Sequence, residues 1–223
     1  MRLARWLVLV ALVAGCQTQS ELIIPETALL AHPLSLRPGG DQAAQMIAQL
    51  EIKEDWKGLV TLANGQMTGG LPDDDWKVVL GYARMKGGDL PGAVETLRSV
   101  ADRNPEDVDA RTLLGESLRL SGQADRAVEV LEKAAQSHPN AHKTWYLLGE
   151  AYADASRLER SKYAYREALR LEPDYVPAWY GIAGVLARVG PKDEYQQALG
   201  RLQALKPEAA KQHLSSVQSK AQR

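Results

Sequence analysis

The chain has 223 residues, 45% apolar and 25% charged; that is the balance of one sizeable or two small globular domains and excludes a fully disordered or collagen-like chain. A formal net charge of −1 offers no basic balance for nucleic acid. One cysteine and no phenylalanine exclude an intrachain disulfide framework and a cysteine-rich zinc site, and leave Leu, Val, Ala, Trp and Tyr to build the core.

At the N-terminus, Arg2 and Arg5 flank the start of an apolar run, Trp6–Val13, which is followed by small Ala14 and Gly15 and then Cys16. A positive end, a short apolar stretch and small residues are the layout of a secretory signal peptide over residues 1–15. The run is too short to cross a bilayer, which takes roughly 20 apolar residues; a short uncleaved anchor is the alternative. Leu12-Val13-Ala14-Gly15-Cys16 resembles the bacterial lipobox. That resemblance implies cleavage before Cys16, diacylglycerol (palmitate-type chains) on its thiol and a third acyl chain on the new amine. Two or more chains anchor stably where one does not. A free thiol is the plainer alternative for Cys16. Gln17, not Asp, follows it, and by resemblance to enteric-type sorting this implies the inner leaflet of the outer membrane, facing the periplasm. Loss of residues 1–15 removes two arginines and no acid, leaving a charge of −3.

Residues 16–40 read as a lipidated tether. Pro25, Pro33, Pro38 and Gly39-Gly40 break any helical period. Leu22-Ile23-Ile24 and Leu29-Leu30 are apolar for a plain linker and could dock on the folded part or on a partner. Residues 41–73 read as a degenerate helical hairpin. Ala43, Met46, Ile47 and Leu50 form one stripe; Trp56, Leu59, Val60 and Ala63 form the next, after a turn at Lys53–Asp55.

From there the sequence repeats every 34 residues. Pro105, Pro139, Pro173 and Pro207 fall in one column, and Gly81, Gly115, Gly149 and Ala183 in another. Gly88, Gly122, Ser156 and Gly190 make a third, and Trp145 and Trp179 stand one period apart. These columns resemble the tetratricopeptide repeat (TPR), a helix–turn–helix unit. The first glycine column lets two helices approach, with Ala93, Ala127 and Ser161 expected as the small residues opposite. The second closes the first helix in a left-handed turn, and proline ends each unit. Four units follow, 74–107, 108–141, 142–175 and 176–209. In the last, Tyr195 sits where a small residue should pack, and an alternative register with Ala198 there would start the second helix late. Residues 210–223 read as a capping helix with Ala210, Leu214 and Val217 inward and a frayed tail. The resemblance implies an all-α fold, a right-handed superhelical solenoid of TPR hairpins.

Chemistry is scarce. There is no phosphate loop, nucleophile elbow or zinc helix. His138 and His142 are separated by Pro139 at a repeat junction, so no shared helical face holds a metal. Asp73-Asp74-Asp75 lacks the glycine and glutamate of a calcium loop and reads as a helix cap. The chain is therefore expected to be no enzyme, with no cofactor, no metal and no small-molecule substrate. In the family that the repeats resemble, the first helices line a concave groove. Carried onto this sequence, the groove residues are Tyr82, Glu116, Arg119, Tyr146, Glu150, Tyr180 and Arg188, with the tyrosines exposed to a partner. The Lys and Asn that clamp a C-terminal carboxylate in some relatives are absent: the corresponding residues are Val78, Thr112, Tyr146, Tyr180 and Tyr82, Glu116, Glu150, Gly184. The expected partner is a protein segment, extended or helical, with basic and apolar residues. The chain resembles TPR lipoproteins of pilus, secretion or cell-wall systems, among them that of tight-adherence pilus assembly and adaptors of peptidoglycan hydrolases. The expectation is an outer-membrane-anchored periplasmic scaffold; a self-associating structural lipoprotein is the second reading.

Overall fold

Aspartates start the helices. In this computed structural model, which describes residues 41–67 and 73–221, the Asp73 carboxylate accepts from the backbone N–H of Asp75 at 3.0 Å and of Trp76 at 3.4 Å. Asp55, Asp89 and Asp107 do the same for the N–H groups of Gly58, Gly92 and Ala110. Each satisfies donors that the first helical turn cannot pair. The expected signal peptide, Cys16 and the expected tether lie outside the described residues.

Eleven helices and no strand form among the described residues: α1 (Asp41–Ile52), α2 (Trp56–Gln66), α3 (Asp74–Lys86), α4 (Leu90–Arg103), α5 (Val108–Leu120), α6 (Ala124–Ser137), α7 (His142–Asp154), α8 (Leu158–Leu171), α9 (Val176–Val189), α10 (Lys192–Leu205) and α11 (Pro207–Ala221). Each packs on its neighbours in the chain, and α3, α5, α7 and α9 also touch one another in succession. The result is an all-α solenoid of helical hairpins with two layers. Closer approach among the odd helices makes theirs the inner, concave layer.

Within each hairpin the turn is closed by a left-handed residue: Gly88 at φ 88°, Gly122 at φ 75° and Ser156 at φ 59°. The fourth hairpin differs. Gly190 is extended at φ −90°, ψ 163°, because the ring of Pro191 disfavours a helical conformation in the residue before it. The late start expected for its second helix is not found: α10 begins at Lys192, one period after α8 begins at Leu158. Ala198 is buried while Tyr195 is half-buried, so the small residue sits inward without a shift of the helix.

The glycine column works differently from the expectation that small residues face it. A Cβ at Gly81 would stand 2.4 Å from Leu97 Cγ, at Gly115 2.4 Å from Leu131 Cγ, and at Gly149 2.7 Å from Tyr165 Cδ1. The glycines admit a large side chain from the second helix, and Leu97, Leu131 and Tyr165 are almost wholly buried there. Ala93, Ala127 and Ser161 are buried as well, with the Ser161 hydroxyl donating to the Gly149 carbonyl at 2.7 Å.

Tryptophan and proline columns meet. Trp145 Nε1 donates to the Pro139 carbonyl at 2.9 Å and Trp179 Nε1 to the Pro173 carbonyl at 2.7 Å. Each indole thus pins the turn that enters its own hairpin. At the far end, α11 packs on α9 and α10, but rotated from the expected face. Ala209, Ala210 and His213 are buried, and Leu214 points outward. His213 lies edge-on to Tyr180 at 5.4 Å and against Tyr195 at 5.8 Å, an aromatic seat that a stripe of aliphatic residues alone did not predict. At the front, Ile47, Leu59 and Ala63 are buried, whereas Met46 is exposed.

Candidate protein-binding groove

The inner helices α3, α5 and α7 bring Lys86, Glu116, Arg119, Glu150 and Asp154 near enough to act on one another's charge. On α5, Glu116 and Arg119 are one turn apart, and both face α7. Arg119 Nη1 is 3.1 Å from Asp154 Oδ2 and 3.9 Å from Glu150 Oε2. Glu150 also accepts from the Tyr165 hydroxyl. Burial works against the charge of Arg119, but Glu150, Asp154 and Glu116 together raise its pKa, so the guanidinium is held as a cation.

Glu116 is 3% exposed. Burial pushes its carboxyl above the ordinary range, against the pull of Arg119 and Lys86, while Glu150 adds to the rise. On α3, Lys86 is half-buried, its Nζ 5.6 Å from the Trp56 ring; burial lowers its pKa while Glu116, Glu54 and Glu51 oppose that. Glu51, on α1, is raised by burial and is eased by a hydrogen bond with Tyr82 and by Lys86. Four carboxylates and two cations thus run along the floor of the inner layer from α1 to α7.

The aromatic residues are placed otherwise than expected. Tyr82 and Tyr146 are not exposed: each is less than a tenth accessible. Tyr82 lies edge-on to Trp56 at 6.0 Å, and Tyr146 lies near Tyr165 at 6.1 Å and edge-on to Tyr175 at 5.5 Å. An aromatic ring on an inner helix is long enough to reach the neighbouring hairpin, so it becomes part of the junction between hairpins. Tyr180 is half-buried under α11, beside His213, and Arg188 is exposed near the end of α9. The structure therefore gathers Tyr82, Glu116, Arg119, Glu150 and Tyr146 along one floor and leaves Tyr180 and Arg188 apart from it.

Sequence periodicity sets Tyr165 in one column with Leu97, Leu131 and Leu199, but it did not single out Tyr175 or Glu51. Tyr175 stands two residues after Pro173, at the start of α9, where Asp107 caps α5. A tyrosine in a capping column is the out-of-pattern signal that could have found it.

With this geometry comes the likeness to known proteins. Residues 78–142 and 117–176 match the tetratricopeptide repeat family. The match spans α5 and α7 and takes in the floor from Lys86 to Asp154, while Glu51 on α1 lies before it. No curated protein sequence matches the chain. Among solved structures, the solenoid is similar to a thermophilic TPR protein of Thermus thermophilus, with a TM-score of 0.66 at 17% identity over 86% of this chain and 99% of that one. It is also similar to MamA of Desulfovibrio magneticus RS-1, with a TM-score of 0.60 at 21% identity over 74% of this chain and 93% of that one. A further MamA structure gives a TM-score of 0.61 at 17% identity, covering 83% and 94%. At these identities the likeness concerns the fold. Among the described residues no group of three or more His, Cys, Asp or Glu could hold a metal ion, and no helix is long and apolar enough to cross a membrane.

Proposed function

We propose that the chain is a protein-interaction scaffold of the bacterial cell envelope, anchored by lipid on Cys16, that holds a partner segment in its concave groove and helps assemble or localise an envelope machine. Solenoids offer extended concave surfaces for such segments. The observation that carries the reading is the charged floor itself: Glu116, Glu150 and Asp154 converge on Arg119 from two hairpins inside an otherwise apolar stack. A fold with no use for these charges would be more stable with apolar residues in their place. The excess of carboxylates favours a partner with arginine or lysine among apolar residues, and the floor offers no cluster of cations for an acidic tail. The lipid anchor rests on the sequence Leu12-Val13-Ala14-Gly15-Cys16, and the outer membrane and periplasm on Gln17.

Two measurements test this. The full chain, isolated under gentle conditions from its native envelope, should bring a stoichiometric partner that the double variant Glu116→Gln, Glu150→Gln releases while keeping its helical circular dichroism. Retention of the same partner by the variant would sink the groove as the working surface. Metabolic labelling with an alkyne-bearing palmitate should mark the chain and fail on Cys16→Ser; equal labelling of both would remove the anchor from the account.

A further inference from the structure

The carboxylates of the floor are not equally engaged. Glu150 accepts from Tyr165 and sits beside Arg119, and Asp154 is bonded by Arg119. Glu116 Oε2 is buried with no hydrogen-bond partner. Near it, at the start of α9, stands Tyr175, whose ring is edge-on to His142 at 4.9 Å and to Tyr146 at 5.5 Å, both on α7. The Tyr175 hydroxyl is also buried without a partner, although Glu116 and Glu150 are near enough to add to the burial that holds its proton on. A buried acceptor and a buried hydroxyl that ignore each other are both expensive, and they occur together at one point of the groove.

We propose that Glu116 is the seat for one guanidinium or ammonium group of the bound segment, and that the Tyr175 ring is a cover which swings aside to admit it. This rests on the reading of the groove as a protein-binding surface and specifies where it reads charge. The groups that face Glu116 are Lys86 and Tyr82 from α3, Arg119 on its own helix, Glu150 from α7 and Tyr175 at the start of α9. In the free chain, burial favours the protonated carboxyl. An arriving cation favours the carboxylate, so binding releases the proton, and affinity rises with pH until the free carboxyl is already ionised. A neutral partner residue would gain nothing from this exchange.

The test uses the full chain, n-butylguanidinium chloride as the probe and tetramethylammonium chloride at equal ionic strength as the control. The Glu116 carboxyl carbon and the Tyr175 ring are followed by NMR. The expected result is a saturable shift of both signals with n-butylguanidinium alone, with a lower titration midpoint for Glu116. Probe affinity should fall about tenfold per pH unit below the free-chain midpoint. Glu116→Gln should abolish the response and its pH dependence, and Tyr175→Ala should tighten the probe by removing the cover. Equal responses to the two salts, or a probe affinity unchanged in Glu116→Gln, overturn the seat. Failure here, with a partner still released by the double variant described above, would leave the groove reading standing and remove only this seat.

Discussion

Glu116 is a residue at which folding and binding pull in opposite directions. Its carboxyl is raised from the ordinary 4.5 by burial, so the folded chain holds a proton there that the unfolded chain has already lost. Stability from this group is fully present below the unfolded value and is lost as pH rises through the folded one. Glu116→Gln, which imitates the protonated form, should therefore stabilise the fold by roughly 1 kcal/mol near pH 8 and by nothing near pH 4. Urea unfolding at the two pH values checks this, and a loss of stability at pH 8 would show that Arg119 and Lys86 outweigh burial. Gaining stability while losing the partner is the trade expected of a binding residue. Tyr175→Phe removes a buried hydroxyl with no partner and should leave stability unchanged or raised by up to about 1 kcal/mol in the same assay.

At the scale of the hairpin, the glycine columns separate two physical roles. Alanine is about 1 kcal/mol better than glycine inside a helix, yet Gly115→Ala would set a Cβ 2.4 Å from Leu131 Cγ in a fully packed place. Overpacking should prevail and destabilise by about 1–3 kcal/mol. Gly200→Ala, which meets nothing within 4 Å on α10, should stabilise by up to about 1 kcal/mol. Thermal unfolding of the pair reads the sign of each. Trp145→Phe should lose about 1 kcal/mol with the bond to the Pro139 carbonyl. The hairpins were legible because each column answers a local demand: proline ends a helix, and Gly88 and Gly122 take a left-handed turn. What faced those columns was not legible. Periodicity places Gly115 on a face, but not Leu131 against it, and it counts Trp145 as apolar without its N–H. In the same way the resemblance to the repeat family placed Tyr82 and Tyr146 on the inner layer but could not say that neighbouring hairpins would bury them. Tyr175 escaped because it belongs to a turn, where no helical face is defined.

In the whole molecule, each hairpin meets chiefly its neighbours, so stability is a sum of hairpins and junctions, not one central core. The charged floor crosses three of those junctions, from Glu51 on α1 to Asp154 on α7, and a segment bound along it would tie them together. Binding should therefore raise the unfolding temperature of the α1–α8 part as a unit. The central claim is that this inner layer, and not the outer one, is the working surface. Photo-crosslinking in the native cell tests it most directly, with the crosslinker placed in the inner layer at Ala153 and Ala187 and in the outer layer at Tyr163, which is 58% exposed. The account predicts that the two inner positions capture one partner through a segment containing arginine or lysine, and that Tyr163 does not. Capture from Tyr163 alone, with both inner positions silent in a folded chain, would contradict it.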